Sequence, residues 1–249
     1  YASLLRIFPA YAAAGLGLFV VAELARTRRL APRSRRLLLG AALAAAVIVP
    51  ASVASAGASA YPQFYRRAIT YQETPLTNHM GLAVLVSQDL GTGPGSGRME
   101  LAKDPKQIDP FATWRRIRTE RYERFAPAAY LIVALSVAGF FWVAWRLRTP
   151  FIAACLGQLF IVLGAQLTCF NYPFLVLSAP LVRANRALTV PLCLFAVLTQ
   201  VVAVGITYND VKYTAQSALA LLLCLGLVAA FRKRARWRRK ADRHASVYR

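Results

Sequence analysis

Histidine is nearly absent from this chain, with two in 249 residues, His79 and His244. They are too few and too far apart to build a histidine-based metal site. The four cysteines, Cys155, Cys169, Cys193 and Cys224, fall inside or at the edges of apolar runs and show no Cys-x-x-Cys spacing. Neither a disulfide framework nor a zinc site is indicated, and they read as small residues packed between helices. The chain also lacks Gly-x-Ser-x-Gly, His-Glu-x-x-His, phosphate-loop and Asp-x-Asp patterns. Their absence removes the familiar hydrolase, zinc-peptidase and nucleotide-binding readings. The glycine-rich run GTGPGSG at Gly91–Gly97 has no Gly-Lys-Ser/Thr ending and reads as a hinge. No motif names a cofactor, which stays unknown.

Apolar sequence is what the chain has in abundance, with 57% of its residues hydrophobic. A net charge of +21 would point to nucleic acid in a soluble protein. Here the arginines cluster at the ends of apolar runs, as the positive-inside rule places them, so no nucleic-acid partner is expected. The expected fold is all-α: a polytopic transmembrane helical bundle of about seven spans, forming a single domain over residues 1–249. It is expected in a bacterial cytoplasmic (inner) membrane with the C-terminus cytoplasmic. The chain opens at Tyr1, and its first apolar run has no small-residue cleavage pattern after a basic start. That run reads as a span and not a signal peptide, and the chain as a piece of a longer one.

The first span is expected over Ile7 to Leu24, with Glu23 paired to Arg26. RTRRLAPRSRR, Arg26 to Arg36, follows with six arginines and no carboxylate, the clearest cytoplasmic marker. The second span, Leu37 to about Ala60, is rich in alanine, glycine and serine, a composition that suits close helix packing inside a bundle. Residues 61–126 then form an extracytoplasmic loop, with Tyr61, Tyr65 and Tyr71 suited to an interfacial belt. Near its end Asp109 and Pro110 start a helix, about 110–125, that is expected to lie on the membrane surface and stop before Pro127. Its aromatic arc, Phe111, Trp114, Ile117, Tyr122 and Phe125, contains Arg118 and Arg121.

The third span is Pro127 to Trp145. The 32 residues from Phe151 to Val182 exceed the roughly 20 that cross a bilayer once. A hairpin turning at Phe170 to Pro173, with one broken helix, keeps every basic cluster on one side. Two more spans follow, Ala187 to about Ile206 and Ala215 to Phe231, joined by an outer loop TYNDVKYT. Residues 232–249 form a basic cytoplasmic tail facing anionic lipid headgroups.

Three groups of residues are candidates for function. Glu73, Asn78 and His79, in QETPLTNHMGL, combine a carboxylate, an amide and an imidazole able to bind a polar substrate or move a proton. Glu73 and His79 are the catalytic candidates. Arg118 and Arg121 are positioned to hold an anionic lipid phosphate, the alternative being that they snorkel to water or pair in the neighbourhood of Glu120 and Glu123. Gln158, Gln166, Thr168, Asn171 and Tyr172 give the hairpin a polar interior, with the two glutamines expected roughly on one helix face.

LTCFNYPFL at Leu167 to Leu175 resembles the aromatic-rich LTCYYY-type segment of the horizontally transferred transmembrane group, relatives of vitamin K-dependent carboxylases. TPLTNHMGL is also similar to loops in other bacterial polytopic membrane proteins. The resemblance implies a polytopic helical membrane fold. It breaks where Asn171 replaces an aromatic, offers no lysine to match a catalytic one, and brings no activity with it. The functional expectation is an enzyme acting on a membrane-embedded or lipid-linked substrate, with glycosyl transfer first among the reactions. The alternatives are a transporter working through the hairpin and a non-catalytic membrane assembly subunit docking through the second span.

Overall fold

The computed structural model describes residues 8–88 and 112–247. Gly91–Gly97, Asp109, Pro110 and Phe111 lie outside the described residues, as do the side chains of Glu73, Asn171 and the tail beyond Arg232. The helices are α1 (Phe8–Thr27), α2 (Pro32–Ala56), α3 (Ala60–Glu73), α4 (Leu82–Ser87), α5 (Ala112–Ala144), α6 (Pro150–Leu156), α7 (Gln158–Gly164), α8 (Leu181–Ala184), α9 (Thr189–Gly205) and α10 (Asn209–Val247). Two-residue strands β1 (His79–Met80) and β2 (Leu167–Thr168) pair antiparallel, His79 opposite Thr168 and Met80 opposite Leu167. The described residues are helical in all their regular structure apart from this clasp. Among the described residues four helical stretches are long and apolar enough to cross a membrane: Pro32–Ala56, Ala112–Ala144, Arg186–Gly205 and Asn209–Arg232.

The bundle is built where α1 crosses the break between α6 and α7. A Cβ on Gly15 would stand 2.6 Å from Gly157 Cα and 2.7 Å from Ala153 O, so the two backbones touch there. Small residues permit so close a backbone approach. Around the crossing, Phe19, Phe140, Leu159, Ile161, Leu181 and Leu227 are buried. Phe140 and Phe160 meet edge to face at 4.8 Å between centroids. Cys155 and Cys224 are buried in the same core.

Close packing through small residues occurs, but on a different helix from the one expected. The alanine-rich α2 is exposed along nearly its whole length, with Val47 at 70% and Leu39 at 61%. The close-packing position is occupied by α1 through Gly15. Glu23 also departs from expectation. It is buried, and its Oε2 accepts from Ala31 N at 3.3 Å, at the start of α2. A helix N-terminus favours a carboxylate there. Arg26 donates instead to Trp145 O at 2.6 Å, which brings the C-terminal ends of α1 and α5 together at one basic end of the bundle.

Three expected boundaries also move. The surface helix and third span are one continuous α5, about 50 Å long at 1.5 Å per residue, with Pro127 inside it. Proline removes one ladder bond, to the carbonyl four residues back, which here belongs to Glu123. A single lost bond does not end a helix held on both flanks by packing. TYNDVKYT is not a loop beyond Tyr208, because Asn209 starts α10 and Asp210 favours its positive end. Within 151–186 the helix stops at Gly164, and the chain turns back through 165–168 rather than at Phe170–Pro173. A 3₁₀ helix, Cys169–Ser178, then returns alongside α7, where Gln158 Nε2 donates to Ser178 Oγ at 2.7 Å. At roughly 2 Å per residue the 3₁₀ form covers more distance than an α-helix of equal length.

Candidate functional site

The site lies at the end of the bundle away from Arg26, where α4 wedges between the first turns of α5 and α10. Gly81 precedes α4 at φ +126°, a backbone setting that side chains rarely adopt, and its N–H donates to Ser217 Oγ on α10 at 3.0 Å. The C-terminal turn of α4 has carbonyls with no partner in the helix. Arg118 supplies one: its Nη1 donates to Val84 O at 3.0 Å and to Ser87 Oγ at 3.1 Å. Its Nη2 donates to Gln88 Oε1, which also accepts from Thr214 Oγ1 of α10 at 3.0 Å. The guanidinium lies 5.3 Å from the Trp114 ring centre, within cation–π range. One buried cation therefore joins α4, α5 and α10.

Beside it is a cavity of about 710 Å³ whose wall is made by α4, α5, the end of α7 and the segment from Pro75 to Thr77. Arg118, Glu123, Gln166 and Asp210 supply polar groups, and Trp114 and Tyr130 supply aromatic surface; Leu82, Val133 and Leu163 make other parts apolar. Asp210 is buried, whereas Glu123 is exposed at the rim. The cavity can take a ligand with an apolar portion and a polar, charged head. No protein-family model, curated protein or solved structure matches this chain.

The structure separates several residues that the sequence placed together. Of the arginine pair, Arg118 is neither snorkelling nor on a surface helix. It is 6% exposed and lines the cavity, while Arg121, three residues on, is half-buried and outside the cavity wall. Glu120 pairs with Arg116, at 3.9 Å on the exposed face. Gln158 and Gln166 do not share a helix face, because the helical period ends at Gly164 between them. Gln158 is buried against Ser178, while Gln166 reaches the cavity. Tyr172 is buried beside Phe174, with ring centres 5.2 Å apart. Among the described residues no cluster of three His, Cys, Asp or Glu side chains is placed to hold a metal ion.

His79, expected in the 61–126 loop, is 1% exposed, and its Nδ1 lies 3.4 Å from Gln166 Oε1. It stands behind the cavity wall, not in it. Asn78 is half-buried and its carbonyl accepts from Cys169 N at 3.0 Å, extending the β1–β2 clasp. Burial lowers the His79 pKa below its ordinary 6.5, against a smaller opposing effect of the Gln166 hydrogen bond. The unfolded chain then takes up a proton before the folded one does. Stability is fully present above about pH 6.5 and is lost as pH falls from there through the folded-state pKa. Thermal unfolding in detergent across pH 5 to 8 is expected to show that decline, and His79→Gln is expected to flatten it. An unchanged slope in the variant rejects the assignment.

Two cavity residues had no place among the sequence candidates. Asp210 was legible as an Asn-Asp helix start ahead of an apolar run, which would have taken it out of a loop. Glu123 falls outside the aromatic arc of the expected 110–125 helix, and nothing in its spacing announces a cavity.

Proposed function

We propose that this chain is a polytopic protein of the bacterial inner membrane whose end cavity holds the polar head of a lipid-linked substrate, for group transfer of the glycosyl kind. The observation that carries this reading is the cavity itself. It combines the buried cation Arg118, the carboxylates of Glu123 and Asp210, and aromatic and apolar walls in one space of about 710 Å³, within the range that ligands occupy. A phosphate on a lipid carrier is the anion that an arginine favours. A carboxylate across the cavity is the group available to accept the proton of an attacking hydroxyl.

The arginine clusters support the orientation, with the basic end and the C-terminus cytoplasmic and the cavity extracytoplasmic. Taking α6–α7 and the 3₁₀–α8 return as the two arms of a hairpin gives seven crossings, together with α1, α2, α5, α9 and α10. A transporter is less supported. The break at Gly157 suits one, but Gln158 is turned into the core and Gln166 into the cavity, so the two do not line a common path.

The test uses the full chain reconstituted in nanodiscs with a photoreactive polyprenyl-phosphate sugar. Labelling is expected on α4 and the first half of α5. Thr119→Trp, at an exposed position on the rim, should block it, and Glu123→Gln should preserve labelling while lowering transfer. Labelling elsewhere, or labelling indifferent to Thr119→Trp, overturns the reading.

A further inference from the structure

The sequence set the surface helix at about 110–125, but in the structure that segment is the buried-sided start of α5. A different helix has the form a bilayer surface requires. On α3, successive 100° steps put Tyr61, Phe64, Tyr65, Ala68 and Ile69 on one face and Gln63 and Thr70 on the other. Arg66 and Arg67 flank the apolar arc, one on each side. Tyr61, Tyr65 and Ile69 are exposed, at 43%, 63% and 37%.

What covers this face follows from what precedes and follows it. α2 is about 37 Å long, more than the roughly 30 Å of hydrocarbon, and its exposed apolar sides have nowhere to lie but lipid. Its end is therefore at a membrane surface. There the chain bends at Gly57, at φ +81°, and α3 starts three residues later. The Ser52 and Tyr61 hydroxyls are hydrogen-bonded to each other, so the start of α3 is held against the last turns of α2. That fixes Tyr61 at headgroup depth. At its other end, α3 runs into Pro75, Leu76 and Thr77 of the cavity wall.

We infer that α3 lies in the headgroup layer of the membrane, its tyrosine and phenylalanine face toward the acyl chains and Arg66 and Arg67 on the phosphates of anionic phospholipid. Tyrosine side chains favour this zone because the ring is apolar and the hydroxyl stays wet. Two arginines flanking the arc can reach phosphates on either side without entering hydrocarbon. The helix thereby ties the cavity rim to the level at which lipid heads lie. The inference rests on the membrane reading above but not on the identity of the cavity's ligand.

The experiment places single tryptophans in the full chain, reconstituted with brominated phospholipids, and reads emission as the difference from the unmodified protein. Val47→Trp on α2 is expected to be quenched by bromine deep in the acyl chains. Tyr65→Trp should be blue-shifted and quenched by bromine near the headgroup, while Thr70→Trp should emit as in water. In mixed vesicles, bromine carried on phosphatidylglycerol should quench Tyr65→Trp more than bromine on phosphatidylcholine. Arg66→Gln with Arg67→Gln should erase that preference. A water-like Tyr65→Trp overturns the inference, as does one that is blue-shifted yet unquenched, which would mean that protein covers the face. Equal quenching from both lipids overturns the anionic assignment. An unquenched Val47→Trp rejects the membrane reading itself, which separates that failure from a failure of α3 alone.

Discussion

Arg118→Met is expected to be the most damaging single change away from the bundle core, lowering stability by about 3 to 5 kcal/mol. Hydrogen bonds to a charged group contribute about 1.5 to 3 kcal/mol each, and a buried acceptor left without its donor costs about 1 to 3. Here one side chain serves Val84 O, Ser87 Oγ and Gln88 Oε1. Methionine fills much of the volume and supplies none of the donors. At roughly 2 to 4 °C per kcal/mol for a chain of this size, the unfolding midpoint in detergent should fall by about 10 °C. Arg118→Lys should recover only part of the loss, because an ammonium cannot reproduce the planar fork that spans three acceptors. Equal stability of the methionine variant and the parent would show that α4 is held by its apolar contacts and not by the arginine.

The second large effect is expected at glycine, and it should differ sharply between glycines. Gly81 combines φ +126° with a Cβ position 2.4 Å from Ala165 O. Backbone strain of about 1 to 3 kcal/mol then adds to a collision with main chain that cannot rotate away. Gly81→Ala should cost at least about 3 kcal/mol and detach α4 from the clasp. Gly15→Ala should be comparably harmful, since its Cβ would meet the Gly157 backbone at 2.6 Å. Gly17→Ala, two residues along the same helix with nothing within 4 Å, should be neutral or should stabilise by up to about 1 kcal/mol through helix propensity. Parallel thermal unfolding of the three variants checks the contrast. A Gly15→Ala protein as stable as Gly17→Ala would refute the crossing of α1 over Gly157.

The contacts of Arg118, Gly15 and Gly81 join residues far apart in the chain, which no local pattern marks. The run of small residues in α2 looks like a packing face, yet the close approach belongs to Gly15 and Gly157, glycines in otherwise unremarkable apolar runs. Arg118 and Arg121 looked equivalent on a helical wheel. The arrival of α4 distinguishes them, because Arg118 is buried against its C-terminal turn and donates to Val84 O there. His79 read as a loop residue, since a two-residue strand pair leaves no periodic trace to mark it.

Composition and charge placement alone determined that this chain is all-helical, rich in stretches able to cross a membrane, with its cations gathered at their ends. Hydrophobic length and arginine position are local properties, so they survive in any arrangement of the helices. Only the tertiary structure decided which helix packs into the core and which stays exposed along its length. It also decided that Arg118, Glu123, Gln166 and Asp210 share one cavity. Those residues are brought together from α5, α10 and the turn after α7 by contacts that no periodicity along the chain encodes.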